Sequence, residues 1–221
     1  MIGIIVPAHN EADFLHDCIK SLIAASAHEG LQGEPVEILI MLDDCSDASA
    51  QVAAAHPVGT RECAYRNVGM TRAEGARILL ERGARWLAFT DADSVVPYAW
   101  LAHQVELQVD AVCGIVAVDD WSGYPEHVRQ RYDSLYRPVD DHRHIHGANL
   151  GVSADAYQRA GGFRALAAHE DVHLVADLQR IGASIAWISA NSVTTSARKD
   201  YRCKEGFGDY LKALAAAPVP G

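Results

Sequence analysis

No stretch of this 221-residue chain approaches the roughly 18 uninterrupted apolar residues that a membrane-spanning helix needs. The first apolar run, from Ile2 to Val6, is also far too short for a signal peptide. Cysteine is sparse and scattered, at positions 18, 45, 63, 113 and 203, with no Cys-x-x-Cys pair. That excludes a disulfide framework and favours free thiols in a reducing compartment. Positive charge is short as well: 19 Lys and Arg face 29 Asp and Glu, for a net −10. Such a balance argues against a nucleic-acid or anionic-membrane binder. It leaves a nucleotide ligand open, because a local patch or a metal can reverse the field where the ligand sits. There is no internal repeat and no linker long enough to separate two domains. We expect a soluble, cytoplasmic protein with one well-buried core.

What is present reads as an alternation of strands and helices. Ile2 to Val6, closed by Pro7, is a buried strand. Asn10 can cap the helix that follows, with Phe14, Leu15, Cys18, Ile19, Leu22 and Ile23 on one face. Val36 to Leu42 is a second strand, and Ser46 or Asp47 starts a short helix through Ala55. Asn67 to Arg82 is helical and stopped by Gly83. A strand then runs from Trp86 to Thr90. Pro97 to Val109 reads as helix, Ala111 to Val118 as strand, and Ile145 to Val152 as another strand. Ser153 opens a helix ended by Gly161 and Gly162, Asp171 to Arg180 is amphipathic, and Ser184 to Ser189 is a last strand. Strand–helix alternation of this kind predicts an α/β domain with crossover helices on a mainly parallel sheet.

The chemistry-bearing residues gather at strand ends. Asp91 and Asp93 follow a buried strand, where open α/β sheets collect ligands. Hard cations such as Mg²⁺ or Mn²⁺ take oxygen ligands there and bring a substrate phosphate with them. An ordinary turn is the plain alternative. A calcium loop is not, since its required sixth-position glycine is Val96. Asp43, Asp44 and Asp47 follow the second strand, where a helix cap and solvated turn compete with hydrogen bonding to a base or ribose. Adjacent parallel strands would bring that acidic edge near Asp91. Pro7-Ala8-His9-Asn10-Glu11 lies at the mouth of the first strand. Glu170 and Asp171 open a helix, either as dipole partners or with one of them as a general base. His142, His144 and His146 alternate and could meet Zn²⁺, although a solvated loop without metal accounts for them more simply. Arg198, Lys199, Arg202 and Lys204 form a basic cluster that either faces solvent or covers a diphosphate.

In order, these pieces resemble the family 2 glycosyltransferases of the GT-A fold. The resemblance rests on Ile4-Ile5-Val6-Pro7-Ala8-His9-Asn10-Glu11, Asp43-Asp44-Cys45-Ser46-Asp47, Asn67-Val68-Gly69 with Arg72, and Phe89-Thr90-Asp91-Ala92-Asp93. It continues through Gly147-Ala148-Asn149-Leu150-Gly151, Gly161-Gly162-Phe163 and Glu170-Asp171, covering roughly residues 2 to 190. It implies a single Rossmann-like GT-A domain over about 1–215, with a mixed, mainly parallel sheet flanked by helices. Its nucleotide-binding half would be about 1–95 and its acceptor half about 96–215, followed by a disordered tail at 216–221.

The resemblance further implies inverting transfer of a sugar from a nucleotide-diphosphate donor, of UDP or GDP type, to an acceptor hydroxyl. Pro7, Ala8, Asn10, Glu11, Asp44, Arg72, Asp91, Ala92 and Asp93 would then hold the donor, with Arg198 at the diphosphate. Asp93, with Asp91, would bind Mn²⁺ or Mg²⁺. Asp171 would be the general base and Glu170 would orient the acceptor, a small molecule, lipid or glycan. Two departures stand out. The family's Ala-Arg-Asn-x-Gly run is Thr71-Arg72-Ala73-Glu74-Gly75 here, and no histidine follows His173 to complete a metal shell. Two other readings remain beside this one: a non-catalytic nucleotide-sugar-binding scaffold, and a haloacid-dehalogenase-like phosphatase with Asp91 as nucleophile. Trp121, Tyr124, Tyr132 and Tyr136 fall where an acceptor could dock, or in the core. Nothing in the chain reads out its oligomeric state.

Overall fold

A computed structural model describes residues 1–198 and 207–216. Eight strands form one mixed sheet: β1 (Ile2–Ala8), β2 (Val36–Asp43), β3 (Gly59–Cys63), β4 (Trp86–Phe89), β5 (Ser94–Val95), β6 (Ala111–Ala117), β7 (Leu150–Ser153) and β8 (Ile185–Thr195). Their spatial order is β3-β2-β1-β4-β7-β6-β8-β5. The block from β3 to β4 is parallel, β7 runs antiparallel to both β4 and β6, and β8 is parallel to β6. The helices are α1 (Ala12–Ser26), α2 (Ser49–Ala54), α3 (Val68–Glu81), α4 (Trp100–Glu106), α5 (Glu126–Leu135), α6 (Ala154–Ala160), α7 (Glu170–Arg180) and α8 (Phe207–Ala216).

Both faces of the sheet are covered, which explains why β1, β2 and β4 read as continuous apolar runs. Ile2, Ile4, Val6, Ile38, Ile40 and Ala88 pack with α1 and α4 on one side. Ile5, Leu39, Met41, Leu87 and Phe89 pack with α3, α6 and α7 on the other. Burying one such side chain stabilises the fold by about 1.5–3 kcal/mol. A third cluster, with Ile115, Val128, Tyr132, Tyr136, Leu211 and Leu214, joins α5 and α8 to the end of β6.

The chain lays β2 and then β3 on one side of β1, and β4 on the other. The order reverses between β1 and β4, the place where an open α/β sheet leaves a crevice at its strand ends. The expected adjacency of the strands that carry Asp43–Asp44 and Asp91 is corrected, because β1 lies between β2 and β4, although Asp43 and Asp91 still line one cleft. The expected strand at 145–152 begins only at Leu150. Before it the backbone turns, with Asn149 N–H donating to the His146 carbonyl at 2.9 Å. Asn10 does not cap α1. At φ 57° its side-chain Oδ1 instead accepts from the Ser46 and Asp47 amides, while the Asp47 carboxylate accepts from Ala12 N–H at the start of α1. Ser49, not Ser46 or Asp47, opens α2. The expected tail beyond Ala215 falls, apart from Ala216, outside the described residues, as do Lys199, Arg202 and Lys204. No helix among the described residues is long and apolar enough to cross a membrane.

Candidate active site

The crevice opens into a cleft of about 850 Å³. Pro7 and Ala8 reach it from the end of β1, Asp91, Ala92 and Asp93 from the turn after β4, and Glu170 and Asp171 from the first turn of α7. Glu11, Arg72 and Arg198 also line it, whereas Asn10 and Asp44 do not. Asp44 sits at φ 52° and pairs with Arg66, which does line the cleft.

Its neighbour Asp43 is buried and fully engaged. One oxygen accepts from the Tyr65 and Arg66 amides at 2.6 and 3.0 Å, and the other from Asn67 N–H and the Thr71 hydroxyl at 3.2 and 2.9 Å. Asp43 thus ties the end of β2 to the start of α3. Gly69 on that first turn must be glycine, since a Cβ there would lie 2.4 Å from the Arg164 carbonyl oxygen.

Two guanidiniums organise the acidic floor. Arg72 is buried between Glu170, with which it forms an ion pair, and Asp91, which it meets at 2.5 Å. Burial acts to lower its pKa, but the Asp91 and Glu170 charges more than offset that, so Arg72 stays charged. Gly147 supplies the room: a Cβ there would lie 2.5 Å from the Arg72 guanidinium. Burial raises the Glu170 carboxyl above its usual range, with Arg72 opposing the shift.

Arg198, just past β8, meets both oxygens of Glu11 at 2.5 Å and Asp93 at 3.2 Å, and sits over the Phe14 ring. Desolvation, and then the neighbouring Asp91 charge, push the Asp93 carboxyl up to about 7. Asp93 is thus a half-buried carboxylate beside other carboxylates that already attracts one cationic side chain. A hard cation at Asp93 fits that chemistry. Asp91 is committed to Arg72, and no cluster of three or more His, Cys, Asp or Glu among the described residues could hold a metal alone.

Asp171 is held differently from Glu170. One oxygen accepts from Gly147 N–H at 2.7 Å and the other from Val172 N–H at 2.8 Å. It is half-buried at the cleft wall, with Leu135, Tyr136, His144 and His146 on the same cleft. The histidines are not the solvated loop expected from the sequence. Three rings stack in series, His142 on His144 at 5.4 Å and His144 on His146 at 6.2 Å, and His144 also lies 4.1 Å from Tyr136. Tyr136 lines the cleft, whereas Trp121, Tyr124 and Tyr132 pack away from it. Gly147 holding Asp171 is a link that spacing alone could not reveal. Its only trace in the sequence is a glycine within the Gly147–Gly151 run.

The sequence profile of glycosyl transferase family 2 matches residues 3–168, three quarters of the chain. The chain belongs to that family. No curated protein matches this family 2 member in sequence. Among solved structures it is similar to S. aureus TarS in complex with UDP-GlcNAc, with a TM-score of 0.67 at 13% identity. That match covers 96% of this chain and 64% of TarS 1-349. It is similar to the mannosyltransferase PcManGT from Pyrobaculum calidifontis, in complex with GDP-Man and Mn²⁺, with a TM-score of 0.67 at 17% identity. There the match covers 99% of this chain and 65% of the other. GalNAc-T7 with UDP, GalNAc and Mn²⁺ follows at 0.65 and 13%, covering 90% and 44%. The family 2 chain therefore spans just under two thirds of the first two, or less, and shares with them the GT-A fold.

Proposed function

We propose that this family 2 protein transfers a sugar from a nucleotide-diphosphate donor of UDP or GDP type to an acceptor hydroxyl, with inversion, using Asp171 as general base. The observation that carries this reading is the contrast between the two acidic residues of α7. Glu170 is spent on buried Arg72, while Asp171 faces the cleft with its carboxylate aimed by Gly147 N–H. A base must be held within reach of the proton it takes, and a backbone amide on a rigid turn does that without neutralising it. Inversion needs one in-line attack on the anomeric carbon, so one such base suffices.

The donor half follows from the strand ends. Pro7, Ala8, Glu11 and Ala92 would line the nucleotide, and Asp93 would hold Mn²⁺ or Mg²⁺ with diphosphate oxygens completing the shell. When bound, the ion would supply positive charge for the departing diphosphate. Arg198, paired with Glu11 and Asp93, would turn to the same oxygens and add a positive charge there. Arg72, tied to Asp91 and Glu170, would act as a strut between the donor and base sides more than as a contact to the base or diphosphate. Asn10 and Asp44 would act on the donor only through the loops they shape. The family match sets aside the phosphatase reading that Asp-x-Asp alone left open.

The test is release of nucleoside diphosphate from UDP-GlcNAc and GDP-mannose with Mn²⁺, with the product anomer followed by NMR. Asp171→Asn should lower kcat by about 10²–10⁴-fold with the donor KM nearly unchanged. A retained anomeric configuration, or full activity in that variant, would overturn the proposal.

A further inference from the structure

Arg72 and Arg198 each bridge two carboxylates of the cleft floor, but they are held very differently. Arg72 projects from the middle of α3 and is 4% exposed between Asp91 and Glu170. Arg198 stands three residues past Thr195, the end of β8, and its side chain keeps 18% exposure. Its place is nonetheless set by neighbouring elements. β5 pairs Ser94 with Thr195, and the Ser94 hydroxyl donates to the Thr195 hydroxyl at 3.0 Å, so the end of β8 is pinned to the residue after Asp93. The guanidinium also lies over the Phe14 ring of α1, 5.1 Å from its centroid. Its planar fork meets both oxygens of buried Glu11 at 2.5 Å. One of those nitrogens, Nη2, is also 3.2 Å from Asp93. A single positively charged atom thus touches both carboxylates, at a point where a hard divalent cation would take them as ligands.

We propose that Arg198 is a tethered counter-ion that holds the cation position beside Asp93 closed until a nucleotide diphosphate offers the guanidinium other oxygens. This rests on the reading of Asp93 as the cation's ligand. A guanidinium and a divalent cation cannot share one point, so a cation arriving alone has to break the Glu11 and Asp93 contacts first. Its apparent affinity is then reduced by the fraction of protein in which Arg198 has already turned away. Diphosphate oxygens suit the same planar fork, so a donor draws Arg198 off the carboxylates and opens the position in one exchange. Cation and donor therefore enter together, and each strengthens the binding of the other by the same factor. No covalent bond forms or breaks in the exchange.

The experiment is Mn²⁺ binding to the whole chain, read from the EPR signal of free Mn²⁺, with and without UDP. Arg198→Ala should bind Mn²⁺ alone about 10-fold or more tightly than the wild type does. UDP should raise the Mn²⁺ affinity of the wild type by a larger factor than that of Arg198→Ala. Millimolar guanidinium chloride should weaken Mn²⁺ binding by Arg198→Ala back toward the wild type, because it refills the vacated position, and equal sodium chloride should not. Arg198→Gln repeats the comparison with a polar side chain, and circular dichroism checks that both variants are folded. Equal Mn²⁺ affinities in the wild type and both variants would overturn the inference, as would sodium competing as well as guanidinium. Asp93→Asn tells the two readings apart. Metal-dependent UDP binding that survives in Asp93→Asn removes the metal reading and this inference with it. Its loss there, with no gain of Mn²⁺ affinity in Arg198→Ala, removes the role of Arg198 alone.

Discussion

At the scale of single residues, the site is built from charges whose partners are already chosen. Arg72 serves two carboxylates, one of them the buried Glu170. Removing one member of such a pair leaves the other charge stranded in a poorly solvated place. Arg72→Met should therefore destabilise the fold by about 3–5 kcal/mol in urea denaturation. His146 gives a pH signature of opposite origin. Its folded pKa is depressed from 6.5 to about 3, so below 6.5 the unfolded chain binds a proton that the native state refuses. Its contribution to stability is complete above about 6.5 and is lost as the pH falls toward 3. Burial depresses it most, the His144 and His142 imidazoles add to the shift, and the Asp91 charge opposes it. His146→Asn should remove that acid sensitivity. The wild type should fall relative to the variant by up to about 1.4 kcal/mol per pH unit below 6.5, as read from denaturation midpoints at several pH values. Parallel stability curves for the two proteins would contradict it.

At the scale of elements, close approach between helix and strand fixes where the strand ends point. A Cβ on Gly75 of α3 would lie 2.7 Å from Ile5 Cγ2 of β1, which is rigid and buried on both faces. Gly75→Ala should cost about 1–3 kcal/mol through overpacking, with the denaturant midpoint falling and the slope unchanged. What was legible in the sequence follows from the same packing. Strands covered on both sides, such as β1, β2 and β4, announce themselves as apolar runs. The edge strand β3 carries exposed Thr60, Arg61 and Glu62 and gave no such signal. Two-residue β5 was too short to show any period. The segment before β7 departs from strand because Ile145 to Ala148 line the cleft and the Asn149 side-chain amide donates to the Ile115 and Asn191 carbonyls. Asp91, Asp93, Glu170 and Asp171 were legible as a group because they sit at strand and helix ends. Which carboxylate Arg72 would claim was not, because that depends on a contact across 98 positions.

At the scale of the whole molecule, the mixed sheet places one acidic crevice between β1 and β4 and seats the first turn of α7 across it. In the proposed reaction that crevice has a donor side at Asp93 and a chemical side at Asp171. The measurement that tests this most directly is calorimetric titration of UDP-GlcNAc and GDP-mannose, each with Mn²⁺, into the wild type, Asp93→Asn and Asp171→Asn. Asp171→Asn should bind the donor as the wild type does, while Asp93→Asn should bind at least about 10-fold more weakly, roughly 1.4 kcal/mol. Equal losses in the two variants, or undiminished metal-dependent binding by Asp93→Asn, would contradict it.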